Sequence, residues 1–176
     1  MVQHSYILLN KLSIRRSTVE AAKPRILVID DDEDILMTMN ILLTERGYIV
    51  ETAKSGMDAI KKSKEKVFNI ALIDVVLPDM HGTQLLLKLK DSVPKTRKII
   101  VTGHATLQNA VDALKFGADS YLMKPVESET LWNVIEEQLR KQEEERKITQ
   151  EKIVEYIETR AKELAQEKKG IVQDKK

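Results

Sequence analysis

Apolar runs of strand length alternate with segments of helical periodicity between residues 25 and 140. In those segments apolar residues recur every three or four positions, as on a helix with one buried face. The runs recur about every 20 to 28 residues, which predicts βαβ units and a parallel sheet in an α/β fold. The predicted strands are Arg25 to Asp30, Tyr48 to Thr52, Asn69 to Asp74, Arg97 to Thr102 and Ser120 to Pro125.

Four amphipathic helices are predicted after the first four strands. They run from about Glu33 to Arg46, from Ser55 to Lys64, from Gly82 to a stop at Asp91–Pro94, and from Thr106 to Phe116. The residues expected on their buried faces are Ile35, Met39, Leu42 and Leu43; Met57 and Ile60; Leu85, Leu86 and Leu89; and Leu107, Ala110, Val111 and Leu114. Gly47 and Gly117 end the first and fourth helices, because glycine accepts the backbone conformation of a helix stop.

The sequence from Ser128 onward is helical in pattern and highly charged, with no glycine or proline before Gly170. An apolar stripe should close the last face of the sheet, and it consists of Leu131, Val134, Ile135 and Leu139. A weaker stripe with coiled-coil spacing returns further on at Ile153, Ile157 and Leu164, interrupted by Arg160. Opposite charges one turn apart favour an exposed helix, as in Glu143 with Lys147 and Glu158 with Lys162. A dimerising coiled-coil linker and a solvated or partner-binding helix both remain open.

Composition narrows the class of protein. The hydrophobic share of 42% suits a soluble domain, and a net charge of +1 gives no general attraction to nucleic acid or membrane. The absence of cysteine excludes disulfides and thiolate catalysis, and no apolar run approaches the roughly 20 residues that span a bilayer. We expect a cytoplasmic protein with a basic, poorly ordered leader (1–23), one domain (24–139) and a charged helical extension (140–176).

Carboxylates follow two of the predicted strands. Asp30 and Asp31 come at the end of the first strand, and Asp74 ends the third. Parallel strands joined by right-handed crossovers place their carboxyl ends on one edge of the sheet, which also receives Thr102 and Lys124. Three carboxylates in a small volume repel one another unless they bind a hard cation, and Mg²⁺ prefers oxygen ligands. This edge is therefore a predicted Mg²⁺ site.

The same edge suits phosphoryl chemistry. A carboxylate such as Asp74 can attack phosphorus to give an acyl phosphate, and catalysis of that transfer is mainly positioning and charge neutralisation. Lys124 can supply a positive charge and Thr102 a hydroxyl. Each residue alone has a structural explanation, since lysine stems cover apolar surface, threonine suits strands and Asp31 or Asp32 can cap a helix. Their joint occurrence on one edge favours the functional interpretation.

Four motifs give this chain a resemblance to the receiver domain of two-component response regulators. They are Ile29–Asp32, Ile73–Asp74 with Leu77–Gly82, Val101–Ala105 and Tyr121–Pro125. The resemblance covers about Pro24 to Leu139 without a gap. It implies a flavodoxin-like (βα)₅ doubly wound sheet with strand order 2-1-3-4-5. It also implies Mg²⁺-dependent phosphotransfer from a histidine kinase or a His-containing phosphotransfer protein to Asp74.

The resemblance implies a role for each matching position. Asp31, Asp74 and the backbone carbonyl of Val76 would ligate Mg²⁺, Mn²⁺ being a substitute, and Asp30 would act through water. Lys124 would pair with the phosphoryl group, and Pro125 matches a cis-peptide position. Thr102 and Tyr121 match the switch pair, in which the tyrosine moves from exposed to buried. Val76 and His104 occupy the variable positions that tune the lifetime of the phosphoryl group. The fourth helix, strand five and final helix would form the output face.

Other functions compete with a signalling module that has no catalytic output beyond self-phosphorylation and slow autodephosphorylation. A Mg²⁺-dependent phosphatase or mutase with an aspartate nucleophile commonly carries a second acid two residues later, but that position is Val76. Direct DNA binding is not expected, because residues 140–176 lack a two-helix pattern with a tight turn. The chain could also be the N-terminal receiver and linker of a longer transcription regulator or hybrid signalling protein. A homodimer through the C-terminal helix or the output face is a further expectation.

Overall fold

The computed structural model describes residues 23–89 and 92–173, with side chains to residue 163. Five parallel strands form one sheet in the order β2-β1-β3-β4-β5, which confirms the predicted flavodoxin-like topology. The strands are β1 (Arg25–Ile29), β2 (Ile49–Ala53), β3 (Ile70–Ile73), β4 (Arg97–Thr102) and β5 (Ser120–Met123). The helices are α1 (Glu33–Glu45), α2 (Gly56–Glu65), α3 (Gly82–Lys88), α4 (Leu107–Lys115) and α5 (Ser128–Gln173). The predicted leader, apart from Lys23, lies outside the described residues, as does Asp91.

The sheet is covered on both faces. Every residue of β3 and β4 is buried, as expected of central parallel strands. Successive side chains of β1 and β3 alternate between two hydrophobic clusters: Leu27 and Ile73 lie in one, whereas Val28 and Leu72 lie in the other. The strands therefore need nearly continuous apolar runs, and such runs made them recognisable in the sequence.

The predicted buried faces of two helices are only partly correct. In α4 the predicted inward residues Leu107 and Leu114 are 84% and 65% exposed, and Ala113 is the buried residue. In α2 the predicted inward Ile60 packs against the core, but Met57 is 61% exposed, and the buried residues are Gly56 and Ala59. Small side chains let these helices approach the sheet closely, whereas periodicity shows only which residues share a face.

The long helix α5 first closes the sheet as predicted. Leu131 and Ile135 are fully buried, and the half-buried Val134 and Leu139 pack against the same cluster. None of the described helices is apolar enough over a sufficient length to cross a bilayer.

Past Leu139, α5 stays attached through polar groups at the amino-terminal edge of the sheet. The buried Gln142 side chain accepts a hydrogen bond from Asn69 Nδ2 (2.8 Å) and donates to the carbonyl oxygen of Lys95 (2.6 Å). Glu145 lies 2.7 Å from Arg97, whose guanidinium also lies 2.9 Å from Asp119. The domain boundary after Leu139 stays a prediction, but contacts with the sheet continue to Glu145.

The charged part of α5 contains ion pairs at helical spacing. Glu143 lies 3.9 Å from Lys147, as predicted. The predicted pair of Glu158 with Lys162 is absent from the ion pairs of the described side chains, where Arg160 instead pairs with Glu163 at 2.9 Å. Such exposed pairs each contribute only about 0.3–0.5 kcal/mol, so they favour a solvated helix without determining what it binds.

Candidate metal centre

Three carboxylates meet at the carboxyl edge of the sheet. Asp30, Asp31 and Asp74 each offer one oxygen atom, and these atoms all lie within 4.8 Å of one another. Asp30 and Asp74 are only 4% and 7% exposed, whereas Asp31 is exposed. The structure therefore assembles the predicted cluster, with two acids buried and one facing solvent.

Backbone hydrogen bonds at the carboxyl ends of the strands position the two buried acids. The Asp74 amide donates to the Ile29 carbonyl (2.9 Å), and the Asp30 amide donates to the Ala53 carbonyl (3.1 Å). Asp32 has a different task, because its Oδ1 atom accepts from the Asp34 amide (2.8 Å) and caps α1. The helix cap considered for Asp31 or Asp32 is thus made by Asp32.

Lys124 supplies positive charge to the cluster. Its Nζ atom lies 2.5 Å from Asp30 Oδ2 and 3.6 Å from Asp74 Oδ1. The Lys124 amide donates to the Thr102 carbonyl (2.9 Å), so backbone pairing carries the lysine to this edge. The peptide bond between Lys124 and Pro125 is cis.

Burial and charge act in opposite directions on Asp30. Burial raises the pKa of Asp30, and the neighbouring Asp74 adds to this, whereas Lys124 and the Asp32 amide lower it. The net result is a raised pKa. Without a metal ion, burial therefore disfavours the ionised form of Asp30. A bound cation would offset this cost, because a nearby positive charge favours the ionised carboxylate.

The donor set fits Mg²⁺. Asp74 Oδ1 is buried and has no hydrogen-bond partner among the described residues, and an unsatisfied buried carboxylate oxygen is costly. All three side chains offer carboxylate oxygen, the donor that Mg²⁺ prefers. The loop after Asp74 keeps the side chain of Val76 exposed, and its backbone bridges to His81.

The two residues of the predicted switch pair lie on neighbouring strands. Thr102 is fully buried, and its Oγ1 atom accepts from the His104 amide (3.1 Å). The half-buried Tyr121 ring packs against the core, and its hydroxyl is shielded from solvent and receives no hydrogen bond from the part of the chain that the structure describes. Burial raises the pKa of Tyr121, and the charge of Asp74 raises it further. Tyr121 is thus largely turned inward, and its switching role stays a prediction.

Two residues near the site were missed as contributors to its geometry. Gly82 lies so close to the Asp74 backbone that a Cβ atom there would come within 2.1 Å of the Asp74 carbonyl oxygen. Asp79 accepts hydrogen bonds from the amides that begin α2. Both belong to the motif Leu77–Gly82, but the sequence carries no signal for the atoms that they approach.

Comparison with known proteins defines the class. Residues 26–136, well over half of the chain, match the family described as the response regulator receiver domain. The chain therefore belongs to this family of phosphorylation-switch proteins from two-component systems.

Individual relatives agree with this assignment. The transcriptional regulatory protein ZraR of Klebsiella oxytoca is 37% identical over 114 residues, which are 65% of this chain and 26% of ZraR. The chain thus spans about a quarter of that relative. A CheY-like receiver domain from Methanospirillum hungatei JF-1 has a TM-score of 0.68 and 44% identity, covering 70% of this chain and 99% of that chain. A Burkholderia pseudomallei response regulator, solved with a phosphorylated aspartic acid and a calcium ion, has a TM-score of 0.62 and 32% identity, covering 70% and 73%.

Proposed function

We propose that this chain is a phosphorylation-controlled receiver that accepts a phosphoryl group on Asp74, in a Mg²⁺-dependent reaction, from a histidine kinase or a His-containing phosphotransfer protein in the cytoplasm. The observation that carries the proposal is the buried Oδ1 atom of Asp74, which lies beside the Asp30–Lys124 ion pair and receives no hydrogen bond from the described residues. The phosphorylated aspartic acid of the Burkholderia pseudomallei relative supports it.

In the proposed reaction, a carboxylate oxygen of Asp74 attacks the phosphorus of a phosphohistidine. The new P–O bond forms as the P–N bond breaks, and the electron pair leaves with the imidazole, which takes up a proton. The Lys124 ammonium, 3.6 Å from Asp74 Oδ1, neutralises charge on the transferred group. The Thr102 hydroxyl is the proposed hydrogen-bond donor to the phosphoryl group.

Asp31, Asp74 and the Val76 carbonyl are the proposed direct ligands of Mg²⁺, or of Mn²⁺ in its place, and Asp30 is the proposed ligand through water. When bound, the cation supplies a second positive charge against the phosphoryl oxygens. Turnover of small phosphate esters is not part of the proposal, because Val76 offers no second acid after the nucleophile. The chemistry is therefore limited to self-phosphorylation and slow autodephosphorylation.

Labelling with acetyl phosphate and Mg²⁺, followed by intact-mass measurement, tests this function. We expect wild type to gain one phosphoryl group and Asp74→Asn to gain none, because the amide is not a nucleophile toward phosphorus. Asp112→Asn on α4, whose carboxylate accepts hydrogen bonds from Gln108 on the same helix, is the matched control and should label like wild type. Equal labelling of Asp74→Asn and wild type would refute the assignment of the acceptor.

The proposed output face combines α4, β5 and the start of α5. The apolar side chains of Leu107, Leu114 and Met123 are exposed on the first two of these elements. Phosphorylation adds a strongly charged acceptor beside Thr102, which would bias the Thr102–Tyr121 pair between two packings and so alter this face. ZraR is a transcriptional regulator, so an alternative is that this chain forms the N-terminal receiver and linker of a longer transcription regulator or hybrid signalling protein.

The far part of α5 is a proposed contact between two copies of the chain. Ile153, Val154 and Ile157 are all more than half exposed, although they are apolar. We expect the full chain to sediment as a concentration-dependent dimer, and the double variant Ile153→Glu/Ile157→Glu to sediment as a monomer. Glu155→Gln/Glu158→Gln on the same turns is the control and should behave as wild type. If all three proteins show one monomeric mass, α5 is a solvated or partner-binding helix.

A further inference from the structure

Ser55 and Asp79 both accept hydrogen bonds from backbone amides at the start of α2, but only Ser55 is adjacent to this helix in the sequence. Ser55, the residue before the helix, accepts from the Asp58 amide through its Oγ atom (3.2 Å). Asp79 reaches the same helix from the loop between β3 and α3. Its Oδ1 atom accepts from the Gly56 amide (2.9 Å), and its Oδ2 atom accepts from the Met57 amide (2.8 Å). Both oxygens of this carboxylate are therefore used on another element of the fold.

The next residue strengthens the same contact. Met80 packs so closely on Gly56 that a Cβ atom on this glycine would lie 2.5 Å from the Met80 sulfur. Met80 also packs against the hydrophobic cluster on this face of the sheet. Asp79 itself is exposed, so its contribution to the contact is hydrogen bonding and charge without packing.

Charge keeps this contact in place at neutral pH. The slight burial of Asp79 raises its pKa. Hydrogen bonds from the amides of Met57 and Gly56 outweigh this effect and hold the pKa below its ordinary value. The carboxylate is therefore ionised, and it faces the positive end of a helix dipole.

The loop that Asp79 anchors begins at the candidate acceptor. At its other end, Gly82 lies against the Asp74 backbone, and its amide donates to the Val75 carbonyl (2.7 Å). Between these points, the backbone of Val76 bridges to that of His81. The segment 75–81 is thus held at the Asp74 end by backbone contacts and at its outer end by Asp79 and Met80 on α2.

The geometry points to Asp79 as a positioning residue of the metal centre, which holds the segment 75–81, and with it Val76, in place beside Asp30, Asp31 and Asp74. This inference rests on the proposed function, because it assigns Asp79 to the Mg²⁺ site named there. Asp79 touches neither the cation nor the phosphoryl group in this scheme. Its loss should therefore weaken Mg²⁺ binding and leave the acceptor chemistry of Asp74 intact at saturating Mg²⁺.

Ser55→Ala is the matched control, because it removes the other cap of the same helix and leaves segment 75–81 untouched. Calorimetric titration with MgCl₂ should give about a tenfold weaker affinity for Asp79→Ala, the size of effect usual for residues that support metal ligands. Ser55→Ala should stay within about twofold of wild type, although both changes remove a cap and should lower the Tm by similar amounts. Labelling by acetyl phosphate at saturating Mg²⁺ should reach the wild-type extent in both variants.

Hydrogen exchange of the metal-free proteins gives a second readout that does not depend on the cation. Asp79→Ala should speed amide exchange in segment 75–81, whereas Ser55→Ala should speed exchange only at the start of α2. Asp79→Asn keeps one acceptor oxygen and should fall between wild type and Asp79→Ala in both measurements. If Asp79→Ala does not fold, Asp79→Asn takes its place, and it should bind Mg²⁺ more weakly and exchange faster in segment 75–81 than Ser55→Ala.

Equal Mg²⁺ affinity and equal exchange in segment 75–81 for Asp79→Ala and Ser55→Ala would overturn the inference and leave Asp79 as a helix cap. Failure of the proposed function has a different signature. A wild-type chain that takes up no phosphoryl group and binds no Mg²⁺ would refute the function, while the exchange comparison would still decide whether Asp79 holds the loop.

Discussion

Gly82→Ala should lose about 3 kcal/mol or more of its free energy of unfolding, at the severe end of single substitutions. The new Cβ atom would lie 2.1 Å from the Asp74 carbonyl oxygen and 2.9 Å from the Val75 Cα atom. Both neighbours are backbone atoms, so no side chain can rotate away to relieve the overlap. Asp74 is also held by the hydrogen bond of its amide to the Ile29 carbonyl. Either α3 or the end of β3 must move, and the second movement displaces the acceptor.

Urea unfolding monitored by circular dichroism measures this loss, and titration with MgCl₂ measures the accompanying loss of metal affinity. Gly103→Ala is the matched control, because a Cβ atom at that exposed glycine meets nothing within 4 Å. Its stability should stay within about 0.5 kcal/mol of wild type. A Gly82→Ala variant as stable as Gly103→Ala would show that the close approach to Asp74 is not required for the fold.

Asp30→Asn should be more stable than wild type at pH 7 in the absence of divalent cations, by about 1 kcal/mol, because it relieves repulsion between two buried carboxylates that share one lysine. Asp30 is buried among Asp74 and Lys124, and its raised pKa shows that the folded chain disfavours its ionised form. Asparagine keeps the shape and one acceptor oxygen, which can serve either Lys124 or the Asp32 amide, while removing one of two buried negative charges. In wild type, the cluster therefore lowers the stability of the folded state as long as the proposed cation is not bound.

The sign of the pH dependence follows from the same raised pKa. Above the ordinary value of 3.8, the folded state retains the Asp30 proton to higher pH than the unfolded state does. Stability contributed by this group is therefore lost as the pH rises from 3.8 through the raised pKa. The advantage of Asp30→Asn over wild type should be small at pH 4 and should grow as the pH rises toward 7.

Thermal unfolding in EDTA at several pH values checks this prediction, with Asp112→Asn as a control that should track wild type. Adding MgCl₂ should reverse the order, because ligand binding stabilises the form that binds more tightly and Asp30→Asn lacks a proposed ligand. An Asp30→Asn variant that is less stable than wild type in EDTA at pH 7 would contradict the view that Asp30 is destabilising without metal.

Much of the candidate site could be predicted, since it depends on strand ends. Runs such as Arg25–Ile29 and Ile70–Ile73 are apolar because both of their faces are covered, and that pattern is visible in the sequence. Once the strands are parallel, the residues that follow them must share an edge. Asp30, Asp74 and Lys124 therefore meet by topology, without knowledge of any side-chain contact.

The orientation of the helices could not be predicted in the same way. Leu107 and Leu114 do share one face of α4, but that face is exposed, and Ala113 is the residue that packs on the sheet. An apolar stripe usually faces the core, and in α4 it is exposed on the proposed output face. The local sequence cannot distinguish these two cases, because the difference lies in what packs against the helix.

Residue order was enough to predict the strands, their parallel arrangement and the edge at which Asp30, Asp31, Asp74 and Lys124 gather, because the apolar runs and the residues that end them can be read locally. The packed fold was needed to show which atoms meet across distant segments, such as Asp79 with the amides of Gly56 and Met57, and Gln142 with Asn69. Polar contacts of this kind depend on angles and distances of a few ångströms between elements far apart in the chain, and residue order encodes them only through the complete packing of the fold.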